Sequence, residues 1–61
     1  MSWIKTNMQR PPIGTIVKTK IEDADGIISN EQNLVWSGKL WWLEDKSMYV
    51  YYSPTHWDYL K

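Results

Sequence analysis

Three of the five tryptophans in this 61-residue sequence lie within seven residues of one another, on either side of a Ser-Gly pair. A chain of this length forms one domain and buries only about 60% of the surface that its unfolded form exposes. The sequence contains no cysteine, so disulfides cannot supply further stability. Large aromatic side chains must therefore build much of the core, and we expect a single small domain over residues 1–61.

The aromatic residues are all of the two types that carry a polar atom. Nine of the 61 residues are Trp or Tyr, and none is Phe. Each such ring can bury about 150–250 Å², while its N–H or O–H group prefers a hydrogen-bond partner or water. This choice of residues indicates that some rings form the core and that others are only half covered.

The charges balance, with seven Lys or Arg and seven Asp or Glu. A domain that binds a nucleic-acid backbone usually carries a basic excess, so nucleic acid is a disfavoured partner. No signal-peptide pattern follows Met1, and no apolar run approaches the roughly 18 residues that span a bilayer. The sequence predicts a soluble, cytoplasmic protein with no membrane partner.

Alternating residue types predict the first clear strand. The segment 15–22, "TIVKTKIE", follows a Pro-Pro pair and a glycine and is rich in β-branched residues. Val17, Thr19 and Ile21 fall on the face that we expect to be buried. Residues 23–33 are expected to form a loop with an Asp-Gly turn, and its two isoleucines either begin a short strand or close the end of the core.

Two apolar runs around the Ser-Gly pair predict a β-hairpin with a two-residue loop. In that register Trp36 pairs with Lys39, and Leu34 pairs with Trp41. Residues directly opposite one another share a face, so Leu34, Trp36 and Trp41 lie on the predicted core face. Trp42 then lies on the outer face, and a one-residue change in the loop would reverse this assignment.

The last part of the chain adds one strand-like run and one terminal arm. A polar turn at 44–47 precedes "MYVYY" at 48–52, in which Tyr49 and Tyr51 share one face. The segment "THWDYLK" is expected to dock Trp57 back on the sheet. The predicted fold is mainly β, a small antiparallel sheet of three to four strands with packed terminal arms, either an open sheet or an SH3-like small barrel.

Four short motifs are spread along the chain. They are Trp3-Ile4, the Pro11-Pro12-Ile13-Gly14 turn leading into Thr15-Ile16-Val17, the pair Gly38 and Trp41, and Thr55-His56-Trp57. Together they resemble a family of small phage and prophage proteins of unknown function. Members typically begin with Trp-Ile-Ser and end with Thr-His-Trp and a proline-containing tail, and this sequence departs from that pattern after Ile4 and after Trp57. The resemblance implies a phage origin and an accessory role in the host cytoplasm, with no catalytic residue.

Catalytic and metal sites are difficult to build from this composition. His56 is the only histidine and there are no thiolates, so a closed zinc site cannot be assembled. A nucleophilic triad needs a third orienting group, and the acidic residues near 22–25 and 44–45 lie in polar turns. No Gly-rich phosphate loop is present. We expect a non-enzymatic protein without metal or cofactor, in which His56 is structural.

Binding is the class of function that the residues favour. Trp and Tyr dominate the residues that carry binding energy at protein interfaces. The sequence predicts a protein that binds a host protein, such as a defence or metabolic factor, and modulates or inhibits it. Trp42, Tyr49, Tyr51 and Lys39 are the predicted contact residues.

Two alternatives remain open. In one, a homo-oligomer encloses a nucleotide-like signal between rings, and Lys18 and Lys20 contact its phosphates. In the other, the rings stack on single-stranded nucleic acid, which the balanced charge disfavours. A structural role is expected for the other four tryptophans, Trp3, Trp36, Trp41 and Trp57.

Overall fold

Five antiparallel strands form one open sheet in residues 3–60, the part of the chain that this computed structural model describes. The strands are β1 (Ile4–Lys5), β2 (Ile16–Glu22), β3 (Ile28–Trp36), β4 (Trp41–Leu43) and β5 (His56–Tyr59). Their order across the sheet is β1-β5-β2-β3-β4. The predicted mainly β class is confirmed, in its open-sheet form. The predicted domain also includes Met1, Ser2 and Lys61, which lie outside the described residues.

The alternation predicted for β2 is confirmed at Val17 and Thr19 but not after them, because Lys20 on the other face is also buried and Ile21 is only half buried. Val17 and Thr19 are buried, and the Thr19 hydroxyl donates a 2.8 Å hydrogen bond to the Gln32 carbonyl of β3. A polar side chain is therefore tolerated in the core because its hydroxyl has an acceptor.

The loop expected over residues 23–33 is wrong for most of its length, since β3 begins at Ile28. The Asp-Gly turn is confirmed, and the Asp23 carboxylate accepts 2.9 Å hydrogen bonds from the backbone N–H groups of Asp25 and Ile27. Of the two alternatives for the isoleucines, the start of a strand is confirmed, and both side chains are too exposed to close the core. The first half of β3 is polar and exposed, so it lacks an apolar alternation. A register shift and the positive φ of Asn30, 53°, mark a β-bulge there.

The hairpin between β3 and β4 has a longer loop than predicted. Trp36 pairs with Trp41, and Leu34 pairs with Leu43, so the predicted pairing of Trp36 with Lys39 is wrong by two residues. The Ser37 backbone N–H donates to the Leu40 carbonyl at 3.0 Å, closing a four-residue loop. Because side chains alternate with a period of two, a shift of two residues leaves Leu34, Trp36, Trp41 and Trp42 on their predicted faces.

Residues 48–52 do not form the regular strand that was predicted. They contribute one bridge between Tyr49 and Trp42, flanked by 2.9 Å hydrogen bonds from Leu43 N–H to Met48 and from Val50 N–H to Trp41. The chain bends at residues 51 and 52, so pairing stops after Val50. The alternation still holds, because Val50 packs against the core while Tyr49 is exposed.

The terminal segments are strands of the sheet and not arms packed against it. β5 lies between β1 and β2, with Trp57 opposite both Ile4 and Thr19. Trp57 is fully buried, and its indole N–H donates a 2.7 Å hydrogen bond to the Gln9 carbonyl. The sheet therefore has five strands where three to four were expected.

One face of the sheet carries the core. Its buried members are Val17, Leu34, Trp36, Trp41 and Trp57, with Ile4, Leu43, Val50 and Tyr52 packed around them. The loop after β1 crosses this face, since the Arg10 guanidinium lies 4.9 Å from the centre of the Trp36 ring and Gln9 accepts from Trp57. On the opposite, outer face Val35 is buried, whereas Trp42 beside it is only half buried.

Candidate functional site

The outer face carries a line of apolar side chains across neighbouring strands. Ile16 of β2 lies opposite Val35 of β3, and Val35 lies opposite Trp42 of β4. Trp42 in turn lies opposite Tyr49. Residues directly opposite one another in an antiparallel sheet share a face, so these four side chains form a continuous apolar line.

Three aromatic rings extend this line to the edge of the sheet, and we call Trp42, Tyr49 and Tyr51 the aromatic row. The ring centres are 5.4 Å apart for Trp42 and Tyr49 and 5.4 Å apart for Tyr49 and Tyr51, with planes inclined by 71° and 72°. Edge-to-face contacts of this kind are favourable because the positive ring edge meets the negative ring face. The structure thus brings together three of the four residues predicted to contact a partner.

Backbone pairing explains why Trp42 and Tyr49 meet. The hydrogen bonds beside them come from Leu43 and Val50, so Trp42 and Tyr49 themselves form a pair without mutual hydrogen bonds. Side chains approach most closely at such pairs. Tyr49 is 38% exposed and Tyr51 is 89% exposed, so the row reaches from a half-buried indole into solvent.

A cleft of about 380 Å³ adjoins the aromatic row, and we call it the aromatic cleft. It is lined by Ile13, Val35, Trp36, Ser37, Trp42 and Lys46, among others. Ile13 forms its outer wall. The loop before β2 is held against the end of β3 by a 2.9 Å hydrogen bond from Gly14 N–H to the Trp36 carbonyl, and this places Ile13 beside the β3–β4 loop. A Cβ added at Gly38 would lie 3.2 Å from Ile13 Cδ1, so glycine is what lets this wall pack closely.

The structure does not place Lys39 at the aromatic cleft. Lys39 lies in the exposed β3–β4 loop, and the lysine that lines the cleft is Lys46. Lys46 adopts a positive φ of 61° in the turn after β4, where its N–H donates to the Leu43 carbonyl at 2.8 Å. In that turn Ser47 donates a backbone hydrogen bond to the Asp45 carboxylate, which lowers the pKa of Asp45.

Sequence reasoning missed both Ile13 and Lys46 as parts of the site. The signal that could have indicated Ile13 is an apolar residue in a turn beside a Pro-Pro pair, and its side chain is 70% exposed. Lys46 carries no such signal, because only the tertiary fold brings its turn to the cleft.

Lys18 and Lys20, the predicted phosphate contacts, lie on the outer face beneath Trp3. Their Nζ atoms are 5.2 Å and 4.6 Å from the centre of the Trp3 ring, within the range of cation–π attraction. Lys20 also forms a 3.0 Å ion pair with Glu22, and its hydrogen bond and charge lower the pKa of that carboxyl. A phosphate at Lys20 would have to displace Glu22, so the geometry favours a structural role for this lysine.

His56 lies on β5 and is half buried. Its Nδ1 is 2.8 Å from the hydroxyl of the neighbouring Thr55 side chain. The same hydroxyl accepts a 2.9 Å hydrogen bond from Glu22 N–H, which ties the start of β5 to the end of β2. Within residues 3–60 no group of three or more His, Cys, Asp or Glu side chains is placed to hold a metal ion.

The fold and these surfaces define a small antiparallel β protein with an exposed aromatic edge. No family model matches the chain, and comparisons with curated proteins and with solved structures likewise give no significant match. Membership of the phage and prophage family therefore stays a prediction from its short motifs. In the described part of the chain, no helix is long and apolar enough to cross a membrane.

Proposed function

We propose that this protein is a non-enzymatic accessory protein that binds a partner protein through the aromatic row and the aromatic cleft. The observation that carries the proposal is the exposure of a connected set of rings, in which Tyr51 is 89% exposed while it contacts Tyr49. A connected apolar surface that the fold leaves uncovered is typical of an interaction site. Tyr and Trp rings also lose little conformational entropy on binding, because each has only two rotatable side-chain bonds.

The backbone beside the aromatic row supports a protein partner over a small ligand. Met48 and Val50 use their carbonyl and N–H groups toward β4. In a strand-like segment the intervening residue points its own groups the other way, so Tyr49 N–H and C=O face away from the sheet. An extended segment of a partner can pair with such an edge while its side chains contact the rings.

The electrostatics of the outer face support the same choice. Lys20 is already paired with Glu22, and Lys46 is the charged residue among those lining the aromatic cleft. The balanced net charge gives little general attraction for a phosphate backbone. The resemblance to phage and prophage proteins makes a protein of the host cytoplasm the partner that we propose, and binding modulates or inhibits it.

The proposal is tested by measuring affinity with matched variants. A protein captured from host lysate is purified, and its Kd is measured by calorimetry with the wild type, Tyr51→Ala, Trp42→Ala and Ile27→Ala. Ile27 is the matched control, since its side chain is 62% exposed but lies in the β2–β3 turn. We expect each aromatic substitution to weaken binding about tenfold or more, equivalent to about 1.4 kcal/mol, and Ile27→Ala to have no effect.

Two further measurements separate partner binding from folding and from the alternatives. Circular dichroism should show that Tyr51→Ala stays folded with only a small fall in melting temperature, since it loses one ring contact, and Tyr51→Phe should retain most of the affinity. Equal affinities for all variants would overturn the proposal. A mass above that of the monomer with stabilisation by nucleotides would instead favour the ligand-enclosing oligomer, and salt-sensitive binding to single strands would favour nucleic acid.

A further inference from the structure

The outermost backbone on the β4 side of the sheet is the segment from Met48 to Val50, and we call it the open edge. Met48 and Val50 turn their hydrogen-bonding groups toward β4. Tyr49 lies between them at the bridge to Trp42, and its own N–H and C=O have no hydrogen-bond partner among residues 3–60. Because successive residues of an extended segment alternate in direction, these two groups point away from the sheet.

The other edges of the described sheet are protected against pairing. β1, at the opposite edge, is two residues long and carries Lys5. The part of β3 before Leu34 has no strand on its β4 side in the described sheet, but it contains Glu31 and the bulge at Asn30. Short strands, charges and bulges prevent an edge from pairing with another chain. The segment from Met48 to Tyr52 contains no charged residue and no proline, so the open edge is the one most suited to pairing.

The open edge is complementary to itself. When two copies run antiparallel with Tyr49 opposite Tyr49, each N–H donates to the C=O of the other copy. This pairing uses the two groups that the chain leaves without a partner. Its two-fold axis is perpendicular to the sheet, so the outer faces of both copies lie on the same side. The two aromatic rows then meet through their Tyr49 rings, and aromatic pairs across strands are favourable.

The charges of the chain permit this contact between copies. The formal net charge is zero, so two copies do not repel one another as a whole, and a net charge near zero promotes association. In the register centred on Tyr49, the charged turn at 44–47 of one copy faces the uncharged bend at residues 51 and 52 of the other. The pairing therefore brings no two like charges together.

We propose that a second copy of this chain pairs with the open edge, forming an antiparallel two-fold dimer. The open edge has three residues on each side, far fewer than the roughly 20–30 of a stable interface. The dimer is therefore weak, and its population rises with protein concentration. Its role rests on the function proposed above, because an extended segment of the host protein uses the same edge and must displace the second copy. Self-association thus limits partner binding at high concentration.

The first experiment measures the mass of the full chain alone by sedimentation equilibrium, from about 10 μM to about 1 mM. We expect a rise from monomer toward dimer, without nucleotide and with no larger species. Over the same range the Tyr49 amide should change its chemical shift and exchange more slowly with solvent. A monomer at every concentration, association beyond a dimer, or changes confined to Ile4 and Lys5 at the other edge would overturn the proposal.

Two methionines provide matched variants. Met48 is 54% exposed on the open edge, and Met8 is 78% exposed in the turn after β1. Met48→Lys places a charge on the edge of each copy and should weaken dimerisation about tenfold or more, whereas Met8→Lys adds the same charge elsewhere and should leave it unchanged. Circular dichroism checks that both variants are folded. Equal weakening by both variants would indicate general charge repulsion, and wild-type dimerisation in Met48→Lys would place the contact elsewhere; either result refutes the pairing.

A last measurement separates the dimer from the proposed function. The host protein purified for the affinity measurements is added to concentrated wild type, and the mass of the complex is determined. We expect one copy of this chain in each complex. A complex that keeps two copies would show that the host protein and the second copy use different surfaces, and would refute the limiting role. Failure of the proposed function leaves the dimer unaffected, because the dimer is measured without the host protein.

Discussion

The two faces of the sheet carry tryptophans of the same strands in different surroundings. On the core face Trp41 is 2% exposed and Trp57 is fully buried. On the outer face Trp42, the immediate neighbour of Trp41, is only half buried and leads to the exposed Tyr51. Alternation along β4 decides which face each ring takes. The loops decide which face becomes the core, because Gln9 and Arg10 cover one face and leave the aromatic row open.

The number of aromatic residues alone is therefore a poor measure of how large the core of a small protein is. The rings of the core face remove their own surface from water, whereas the rings of the outer face mainly contact one another. An aromatic pair adds about 0.5–1.5 kcal/mol beyond its buried area, so the aromatic row still contributes to stability. Of its three rings, Tyr51 keeps most of its surface available for a partner, being 89% exposed, and Tyr49 is 38% exposed.

The largest expected effect comes from deleting one tryptophan on each face. Trp57→Ala should lower the free energy of unfolding by about 3–5 kcal/mol, because it leaves a large cavity in the core. Trp42→Ala should lower it by roughly 1–2 kcal/mol, the sum of partial burial and one ring contact. Urea unfolding followed by circular dichroism measures both. Equal losses would mean that the two tryptophans are equally buried and would contradict the difference between the two faces.

A smaller effect distinguishes two tryptophans of the core face itself. The Trp57 indole N–H donates to the Gln9 carbonyl at 2.7 Å, whereas the buried Trp41 Nε1 has no hydrogen-bond partner within the described residues. Trp57→Phe should therefore cost about 1–3 kcal/mol more than Trp41→Phe, since it also leaves the Gln9 carbonyl without its donor. The same unfolding experiment tests this, and a larger loss for Trp41→Phe would contradict it.

The wall of the aromatic cleft gives a third test. Gly38 and Gly26 both have positive φ values, 97° and 83°, but only at Gly38 would a Cβ lie close to another side chain, Ile13. Each change to alanine should cost about 1–2 kcal/mol through backbone strain, and Gly38→Ala slightly more. Only Gly38→Ala should also shift Ile13 and weaken partner binding. If Gly26→Ala weakens partner binding equally, the wall has no specific role.

The smallest expected effect concerns the charged half of the outer face. A hydrogen bond and the charge of Lys20 lower the pKa of Glu22 below its usual value of about 4.5. A carboxyl with a lowered pKa stabilises the folded state above the unfolded pKa, and this contribution is lost as the pH falls through the folded pKa. Glu22→Gln should therefore reduce stability above about pH 4.5, and the difference from wild type should shrink in more acidic solution.

Thermal unfolding over a pH series measures this effect, with Glu31→Gln as a control of equal charge change on the exposed part of β3. If the difference in melting temperature between wild type and Glu22→Gln is the same at every pH, the negative charge of Glu22 does not stabilise the folded state. The effect should also weaken in high salt, because the pair is partly exposed.

Local alternation was sufficient to predict β2 and the faces of the β3–β4 hairpin. The predicted hairpin loop was two residues too short, yet Trp41 and Trp42 kept their faces because the error equals one side-chain period. The first half of β3 was not predicted, because its residues are exposed on both faces and therefore show no alternation of apolar and polar residues. β1 and β5 escaped because each is short and pairs with residues distant in sequence.

The candidate site was predictable only as a set of residue types on one face. Alternation placed Trp42, Tyr49 and Tyr51 on outward positions, and their role in partner binding stays a prediction. Their contact with one another depends on a turn at 44–47 that returns the chain beside β4. The contributions of Ile13 and Lys46 depend on loops that come together only in the folded chain.

The position of β5 has a consequence for the order in which the molecule can assemble. β2, β3 and β4 are consecutive and can form a meander by closing short loops. β5 can join only after a much longer loop closes onto β2, and β1 has β5 as its sole partner strand in the described sheet. Loop closure becomes more costly with length, and non-local pairing slows folding. β1 can therefore pair with the sheet only after β5 has done so, and any event that detaches β5 also detaches β1. The β4 edge can form without the rest of the sheet, whereas the β1 edge cannot.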